Sequence, residues 1–528
     1  MVAGFVSLAV ATIALTPANA RAQGTAWNEA WVGSEWEVYA RALAGRGLLR
    51  DESWSIRPFA PQTLERWADS LTSKHPWASR LSKQRASHVA LLRPSLSSSY
   101  NSAFPWGMND GPVWQGRGLN VWGTVGATLR YGILSARFEP LLAYAANQSF
   151  TLIPNAGGSP FGSALEPASI DVPQRFGTKS YGLFNPGQSY VRLDVFGLGA
   201  GFSTENVFWG PGVRQALLFD ANGAGFPHLF LGTSHALGTP IGRFSGQLIY
   251  GRLEQSSWAA PSAAASRFGA GGIGVWSPPS GWLELGLARF YHRAWPANFT
   301  THDLLTPFGS FEHDKQVFNG GEADNQLASV FGTVRATRIG LEVFGEFGKN
   351  DRNATTRDLE VEPEHNSAWL LGFLQTVNWS DSRFWTIRAE VANGRVSPIQ
   401  NLGRSQTTFY DHSPLTQGHT ELGQLLGTPL IEASGGADIA VDRWTSDGRI
   451  GIGVIERQMP SDLSVGMPSV RDSRSQWDLG ISATRFRGAS DISAAIGHVW
   501  DLNRLPGKSA GNSYVRISVR PSLHLPKH

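Results

Sequence analysis

Short turns and long connections alternate along the chain from residue 95 onward, and this alternation constrains the fold more than any other feature. Eight very short turns join segments of period-two hydrophobicity, at 131–134, 196–198, 238–242, 278–282, 336–339, 379–383, 444–448 and 486–490. The connections between these hairpins are longer, at 146–187, 206–226, 255–267, 292–325, 350–367, 394–433 and 458–474. A strand near 95–104 precedes the loop 105–118, and a last strand near 513–525 follows 502–512. The pattern predicts about eighteen strands, an even number.

The segments between the turns carry the alternation of a half-buried strand. In "LEVFGEFG", Leu341 and Val343 face one way, whereas Glu342 and Glu346 face the other. "WTIRAEVA" repeats the pattern. The strands of a soluble β-sandwich would also alternate apolar and polar residues, but a sandwich does not require every short turn to be followed by a long connection. The spacing therefore favours a barrel.

An even number of strands, with short turns at one end and long loops at the other, is typical of outer-membrane barrels. Each segment has about the ten residues that a tilted spanning strand needs, and only a closed barrel satisfies every backbone group in lipid. The composition fits, with 60 Gly, 20 Trp and 16% charged residues. We expect an all-β transmembrane barrel over 94–528, with long extracellular loops and both termini in the periplasm. Its expected partners include outer-membrane lipid and the barrel-assembly machinery.

The first part of the chain is patterned differently. Residues 1–22 read as a signal peptide, because an apolar run ends at small residues that fit a cleavage site, and the run is shorter than a spanning helix. A membrane anchor is the alternative. Residues 23–93 predict a small α-helical periplasmic unit: Trp36, Tyr39 and Leu43 share one helix face. A third helix is expected from Pro76 to just before Pro94. A unit of this size has little core of its own, so we expect it to pack on the strands that come after it in the chain.

Signatures of catalysis and nucleic-acid binding are weak. The formal net charge of +3 argues against a nucleic-acid partner, and the absence of cysteine excludes thiolate chemistry. "GAGGIG" at 269–274 matches a dinucleotide fingerprint, but it falls within a predicted strand rather than before a helix. Ser234 and His235 are adjacent and would point to opposite faces of a strand. We expect no enzyme activity, no catalytic or metal-binding residues and no cofactor.

Several stretches in sequence order resemble one family. They are "WEVYARALAGRGLLRDESWSIRPF", "NDGPVWQGRGLN", "PGQSYVR" leading to "FWGPGVRQALLFDANGAGFPHLFL", and "HTELGQLLG". Together they resemble the Wzi-type capsule assembly proteins of the Gram-negative outer membrane. The resemblance implies an eighteen-stranded barrel, a periplasmic helical bundle and a lumen closed by loops. It also implies a lectin-like role, without catalysis, in holding capsular or extracellular polysaccharide at the cell surface.

The residues that would contact a glycan are inferred from physical chemistry rather than from the resemblance. Sugars stack on aromatic rings and hydrogen-bond to amide, carboxylate and guanidinium groups, and an acidic glycan is attracted to arginine. The predicted external loops supply such groups at Trp106, Asn109, Asp110, Trp114, Arg117, Trp209, Arg214, Trp295, Tyr410 and His412. The competing interpretation for each Trp is packing in an interfacial girdle or a plug.

The stretch from Thr204 to Pro227 predicts an extracellular lid. Trp209 would mark the outer rim, and Gly210, Pro211 and Gly212 would turn the chain sharply. The apolar "ALLF" just after this turn has no reason to face solvent. We expect it to fold back over the barrel mouth, with Asn222 turning the chain into the next strand.

A general porin or solute channel is the alternative function. The predicted inward rows carry both charge signs, as in Arg388 with Glu390 and Arg192 with Asp194. Such rows fit an open selective lumen, and they equally fit a lumen crossed by ion pairs.

Overall fold

The computed structural model describes residues 32–49, 52–70, 77, 89–155, 159–164, 170–259, 266–308, 324–350, 366–380, 383–394, 409–412, 415–432, 434–459, 474–488 and 490–521. The predicted signal peptide lies outside these residues. Within them, α1 spans Glu35–Gly45 and α2 spans Pro61–Ser70, and α3, Thr301–Leu305, continues as a 3-10 turn at Thr306–Phe308. A further 3-10 turn covers Pro429–Ile431. None of the described helices has the length and apolar character needed to cross a membrane.

A closed antiparallel barrel of 18 strands dominates the structure. Three of the strands, β3, β4 and β6, are each interrupted once. The strands are β1 Val89–Asn101, β2 Gly118–Tyr131, β3 Leu134–Phe138 with Leu141–Ala145, β4 Tyr181–Asn185 with Tyr190–Val195, β5 Leu198–Ser203, β6 His228–Thr233 with Leu237–Thr239, β7 Gly242–Glu254, β8 Ser266–Ser277, β9 Leu283–Ala294, β10 Asp324–Ala336, β11 Leu341–Asn350, β12 Ser367–Val377, β13 Arg383–Asn393, β14 Gly435–Thr445, β15 Gly448–Met459, β16 Arg474–Arg487, β17 Ser490–Leu505 and β18 Lys508–Arg520. Each strand pairs with the next, and β1 closes the barrel on β18.

The predicted fold class is confirmed, and the eight predicted turns join consecutive strands. We call the end of the barrel with these turns the turn side and the opposite end the loop side. Two boundaries were wrong. Strand β1 begins at Val89, so the last residues of the predicted third helix belong to the barrel. Strands β17 and β18 continue through 502–512 as one long hairpin, because Asp501 pairs with Ala510 and Leu505 with Lys508. The rest of that helix lies outside the described residues, except for Trp77.

The register separates an outward face from an inward face on every strand. Leu287 pairs with Val330, and these side chains are 60% and 59% exposed. Their neighbours Phe290 and Leu327 also pair, but they point inward and are completely buried. The outward side chains form an apolar band around the barrel, as a lipid-facing wall requires.

The N-terminal helices pack against the turn side of the barrel. Tyr39 of α1 stacks on Trp77 with a centroid separation of 4.7 Å, and it lies 5.8 Å from Phe384 and 5.6 Å from Trp444. Phe384 and Trp444 lie at the turn-side ends of β13 and β14. These two wall aromatics therefore pack on the helical unit. Burial of these rings fixes α1 at the barrel mouth.

Candidate functional site

The segment 206–227, which we call the plug segment, descends into the barrel. Trp209 pairs with Ile56 in a two-residue antiparallel ladder, and the Gly210 amide donates to the Ser55 carbonyl at 3.1 Å. The Gly212 carbonyl accepts from Arg41 Nη1 of α1 at 2.6 Å. The predicted lid over the barrel mouth was therefore wrong: Gly210, Pro211 and Gly212 form the deep tip of an internal plug. The sharp glycine–proline turn lets the chain reach this depth and return.

Wall carboxylates hold the plug segment by its backbone. Glu390 Oε1 on β13 accepts from the amides of Val213 at 2.8 Å and Gln215 at 3.3 Å, and the Arg214 amide is 3.2 Å from both carboxylate oxygens. Glu346 Oε2 on β11 accepts from the Leu217 amide at 3.1 Å. These bonds satisfy amides that have no strand partner inside the lumen. The inward acidic residues thus serve as anchors for the plug segment.

Residues 409–412 and 415–432, which we call the 409–432 layer, lie on the loop side of the plug segment. Tyr410 donates its hydroxyl to the Leu217 carbonyl at 2.9 Å, and His419 Nε2 donates to the Leu218 carbonyl at 2.5 Å. The Asp220 amide donates to the Leu426 carbonyl at 2.8 Å. The sequence "ALLF" is buried between this layer and the wall.

Burial also sets the charge state inside the lumen. It lowers the pKa of His419 to about 4, which favours the neutral ring that donates through Nε2. Burial raises the pKa of Asp220 well above its usual range. Both shifts disfavour charged forms where the plug segment packs on the 409–432 layer.

The lumen is therefore filled at several depths by described residues: α1 at the turn side, the plug segment in the middle and the 409–432 layer above it. Two glycan candidates were wrong for the same reason. Trp209 and Tyr410 are completely buried in these layers and present no surface to a polymer. Asn222 helps to hold the layers together, because its Nδ2 donates to the Leu425 carbonyl at 3.2 Å.

An open cleft lies above these layers on the loop side, and we call it the outer cleft. It encloses about 1080 Å³ of space open to solvent. Trp106 and Trp114 of loop 105–118 both line it. Trp106 is anchored by an Nε1–H donated to Asp478 Oδ2 at 3.1 Å, whereas Trp114 is half-buried and packs 4.9 Å from Phe176. Trp114 thus combines a supported ring with an accessible surface.

Arginines surround the outer cleft. Arg474 forms a two-pronged pair with Asp501, with both distances 2.7 Å, and Arg504 shares the same carboxylate at 2.8 Å. Arg457 pairs with Glu432. Three guanidinium groups thus face two carboxylates, which leaves one positive charge in excess among these five groups. A site of this kind attracts anions and can hydrogen-bond to carboxylates in a planar, two-pronged manner.

The remaining candidates lie near the cleft or away from it. Asp110 pairs with Arg516 at 2.7 Å. Arg117 donates to the Ser102 carbonyl at 3.1 Å, and Asn109 Nδ2 donates to the Arg214 carbonyl at 2.9 Å. These contacts shape loop 105–118. His412 is buried, accepting at Nδ1 from the Leu415 amide at 3.0 Å, and Trp295 lies on the outside of the barrel.

Sequence reasoning missed the arginines and the glutamines of the cleft. Arg457 and Arg474 border the predicted loop 458–474, and Arg504 lies within the predicted loop 502–512. Gln174 and Gln424 come from two other loops. A search for arginine at the loop-side ends of strands would have found the first two residues. These residues come together in the cleft only because the barrel closes, and the spacing of residues in the sequence does not show which loops then become neighbours.

The described residues contain no group of three or more His, Asp or Glu side chains placed to hold a metal ion. Ser234 donates its hydroxyl to Asp194 rather than to His235. The "GAGGIG" stretch lies within β8, as predicted.

Comparison with known proteins shows likeness in fold without likeness in sequence. No protein-family model matches the chain, and no curated protein matches it. Among solved structures, it is similar to Wzi of Escherichia coli, an outer membrane protein involved in group 1 capsule assembly and described as a carbohydrate binding β-barrel. That match has a TM-score of 0.63 and 14% identity, and it covers 93% of this chain and 99% of Wzi. OccK2 of Pseudomonas aeruginosa matches with a TM-score of 0.35 and 10% identity over 81% of this chain and 96% of its own.

Proposed function

We propose that this barrel is an outer-membrane lectin of the Wzi type, which retains capsular or extracellular polysaccharide at the cell surface without catalysis. The observation that carries the proposal is the outer cleft, where Trp106 and Trp114 lie beside three arginines above a filled lumen. The loop side faces the extracellular medium, and both termini lie in the periplasm. The fold shared with Wzi supports this function.

The composition of the cleft favours an acidic polymer. Stacking on Trp114 requires only an apolar sugar face, whereas the guanidinium groups of Arg457 and Arg474 favour carboxylate-bearing sugars. A polysaccharide rich in uronic acids meets both requirements. Binding through repeated weak contacts along one chain suits a polymer better than a small solute.

Replacing Trp114 with alanine is expected to weaken polysaccharide binding by at least about tenfold, since truncation of a central Trp typically removes more than about 1.4 kcal/mol. The measurement is biolayer interferometry of the full chain in nanodiscs against alginate and hyaluronan, which contain uronic acids, and neutral dextran. Arg457→Gln is expected to reduce binding of the two acidic polymers and leave dextran unchanged.

Trp282→Ala is the matched control, because Trp282 is 51% exposed at the turn side, at the opposite end of the barrel. It should bind like the unmodified protein. Equal binding by the Trp114 and Trp282 variants would remove the outer cleft from the mechanism. Failure of the unmodified protein to bind either acidic polymer would reject the acidic-glycan proposal.

The lectin and the porin functions predict different ion conductance. Because α1, the plug segment and the 409–432 layer occupy the lumen, we expect the intact protein to show no steady conductance in planar bilayers. A porin reconstituted in parallel serves as the positive control. Stable, step-like conductance of the unmodified chain would favour the channel function over the lectin.

A further inference from the structure

A short segment leaves the loop-side end of β9 and lies against the outside of the barrel. We call this segment, Trp295–Phe308, the external flap. It contains α3 and the adjoining 3-10 turn. Its position matters because the outside of a barrel at this height ordinarily faces lipid or the lipid–water interface.

The strand register shows which wall residues the external flap covers. The row Gly251–Gly269–His292 faces inward, because a Cβ on Gly251 would meet the plug residue Phe226. The adjacent row, Arg252–Phe268–Arg293, therefore faces outward. Phe268 is nevertheless only 4% exposed. It is covered by Phe299 and Trp295 at centroid distances of 5.2 Å and 6.2 Å.

Polar contacts fix the external flap to the wall. Tyr250, outward on β7, donates its hydroxyl to the Leu304 carbonyl at 2.8 Å. Arg293 of β9 forms an ion pair with Asp303. Asp303 Oδ2 also accepts from the amide and hydroxyl of Thr300, at 2.7 Å and 2.9 Å, in a capping box that starts α3. The flap thus has a defined orientation on the wall.

This orientation turns large apolar side chains away from the protein. The exposed fractions are 40% for Trp295, 52% for Phe299, 58% for Leu304, 61% for Leu305 and 67% for Phe308. They continue the outward band of Leu287 and Val330 toward the loop side. Isolated exposed apolar residues are ordinary on soluble surfaces, but five on one short fixed segment, beside a lipid-facing wall, mark an interaction surface.

We propose that the external flap is a lipid-binding element, which inserts these side chains into the membrane leaflet on the loop side of the barrel. Trp295 marks its polar edge, because the Arg252 guanidinium lies over the ring at 5.4 Å and is itself 53% exposed. A Trp ring capped by an arginine is suited to the headgroup level, while Leu305 and Phe308 reach the acyl chains. The proposal is independent of glycan binding.

The chain contains no cysteine, so a single introduced cysteine gives a unique label. The test attaches the environment-sensitive fluorophore NBD to Leu305→Cys in the full chain, in vesicles of phosphatidylcholine and phosphatidylglycerol. Lipids brominated along the acyl chain act as quenchers. We expect blue-shifted emission that brominated lipid quenches at least twofold. Leu287→Cys in the outward band should behave likewise, and Lys508→Cys in the β17–β18 hairpin should be neither shifted nor quenched.

Each alternative has its own signature. The proposal would be overturned if the label at Leu305→Cys emitted like the label at Lys508→Cys. This result counts only if the variant is folded, which is checked by comparing its heat-dependent gel mobility with that of the unmodified protein. A different result is a blue shift that brominated lipid does not quench and that disappears when the protein is diluted in lipid. That result would mean that a second copy of this chain covers the surface, and it would also overturn the proposal. The double variant Leu304→Ser with Leu305→Ser should fold, since both side chains face outward, and should lose at least half of its binding to preformed vesicles.

Discussion

Replacing Arg41 with methionine is expected to lower the free energy of unfolding by about 3–5 kcal/mol, the usual cost of removing one partner from a buried ion pair. Arg41 is 1% exposed and joins three parts of the protein. It belongs to α1, its Nε donates to Glu342 on β11 at 2.7 Å, and its other nitrogens donate to the carbonyls of Pro211 and Gly212. Methionine has a similar volume, so the loss is of hydrogen bonds and charge rather than packing.

The same substitution is expected to open the lumen intermittently, because it detaches the tip of the plug segment from α1. The measurements are thermal unfolding in detergent, monitored by gel mobility, and single-channel recording. Arg485→Met is the control: Arg485 of β16 pairs with Asp447, their side chains are 72% and 59% exposed, and exposed pairs contribute roughly 0–1 kcal/mol. Equal unfolding temperatures for the two variants would show that the Arg41 network does not hold the plug segment in place.

The barrel could be predicted from sequence because its determinants are local. A strand that faces lipid on one side must alternate apolar and polar side chains, and a short turn must join two adjacent strands. The period-two hydrophobicity and the spacing of the turns together therefore fix the number of strands. The turn at 444–448 illustrates this, since Thr445 pairs with Gly448 in the structure. The first strand was harder to place, because "VALLR" before Pro94 has the apolar content of a helix as well as of a strand.

The interior could not be predicted in the same way because its determinants are long-range. Glu390 and Arg388 alternate with apolar residues as they would in an open lumen. Only the folded chain shows Glu390 accepting from three successive amides of the plug segment. The sequence did indicate that "ALLF" must avoid solvent, but burial in the lumen satisfies that requirement as well as a lid over the mouth does.

The candidate site was partly accessible from the sequence. Trp106 and Trp114 were found because they lie in a loop rich in aromatic and polar residues, and both line the outer cleft. Arg474 was missed because an arginine at a strand end has no distinctive local pattern. Its importance comes from Asp501 on the adjacent strand and from the loops that close around it.

Gly212→Ala is expected to be among the most damaging single-methyl additions in the chain, destabilising the barrel by about 3 kcal/mol. A Cβ at Gly212 would lie 1.8 Å from the Gln215 carbonyl oxygen and 2.9 Å from Glu390 Oε1. Neither atom can retreat easily, because Glu390 Oε1 also accepts from the Gln215 amide at 3.3 Å. The tip of the plug segment must therefore shift, and its bonds to Arg41 weaken with it.

Gly238→Ala is the matched control, since a Cβ there would meet nothing within 4 Å. Alanine in place of this strand glycine should leave the free energy of unfolding unchanged or raise it slightly, because glycine loses more conformational freedom on folding. Urea unfolding of both variants, monitored by intrinsic tryptophan fluorescence, measures the difference. A Gly212 variant as stable as the Gly238 variant would mean that the plug tip tolerates displacement, and a sealed lumen would then depend on the 409–432 layer and α1 alone.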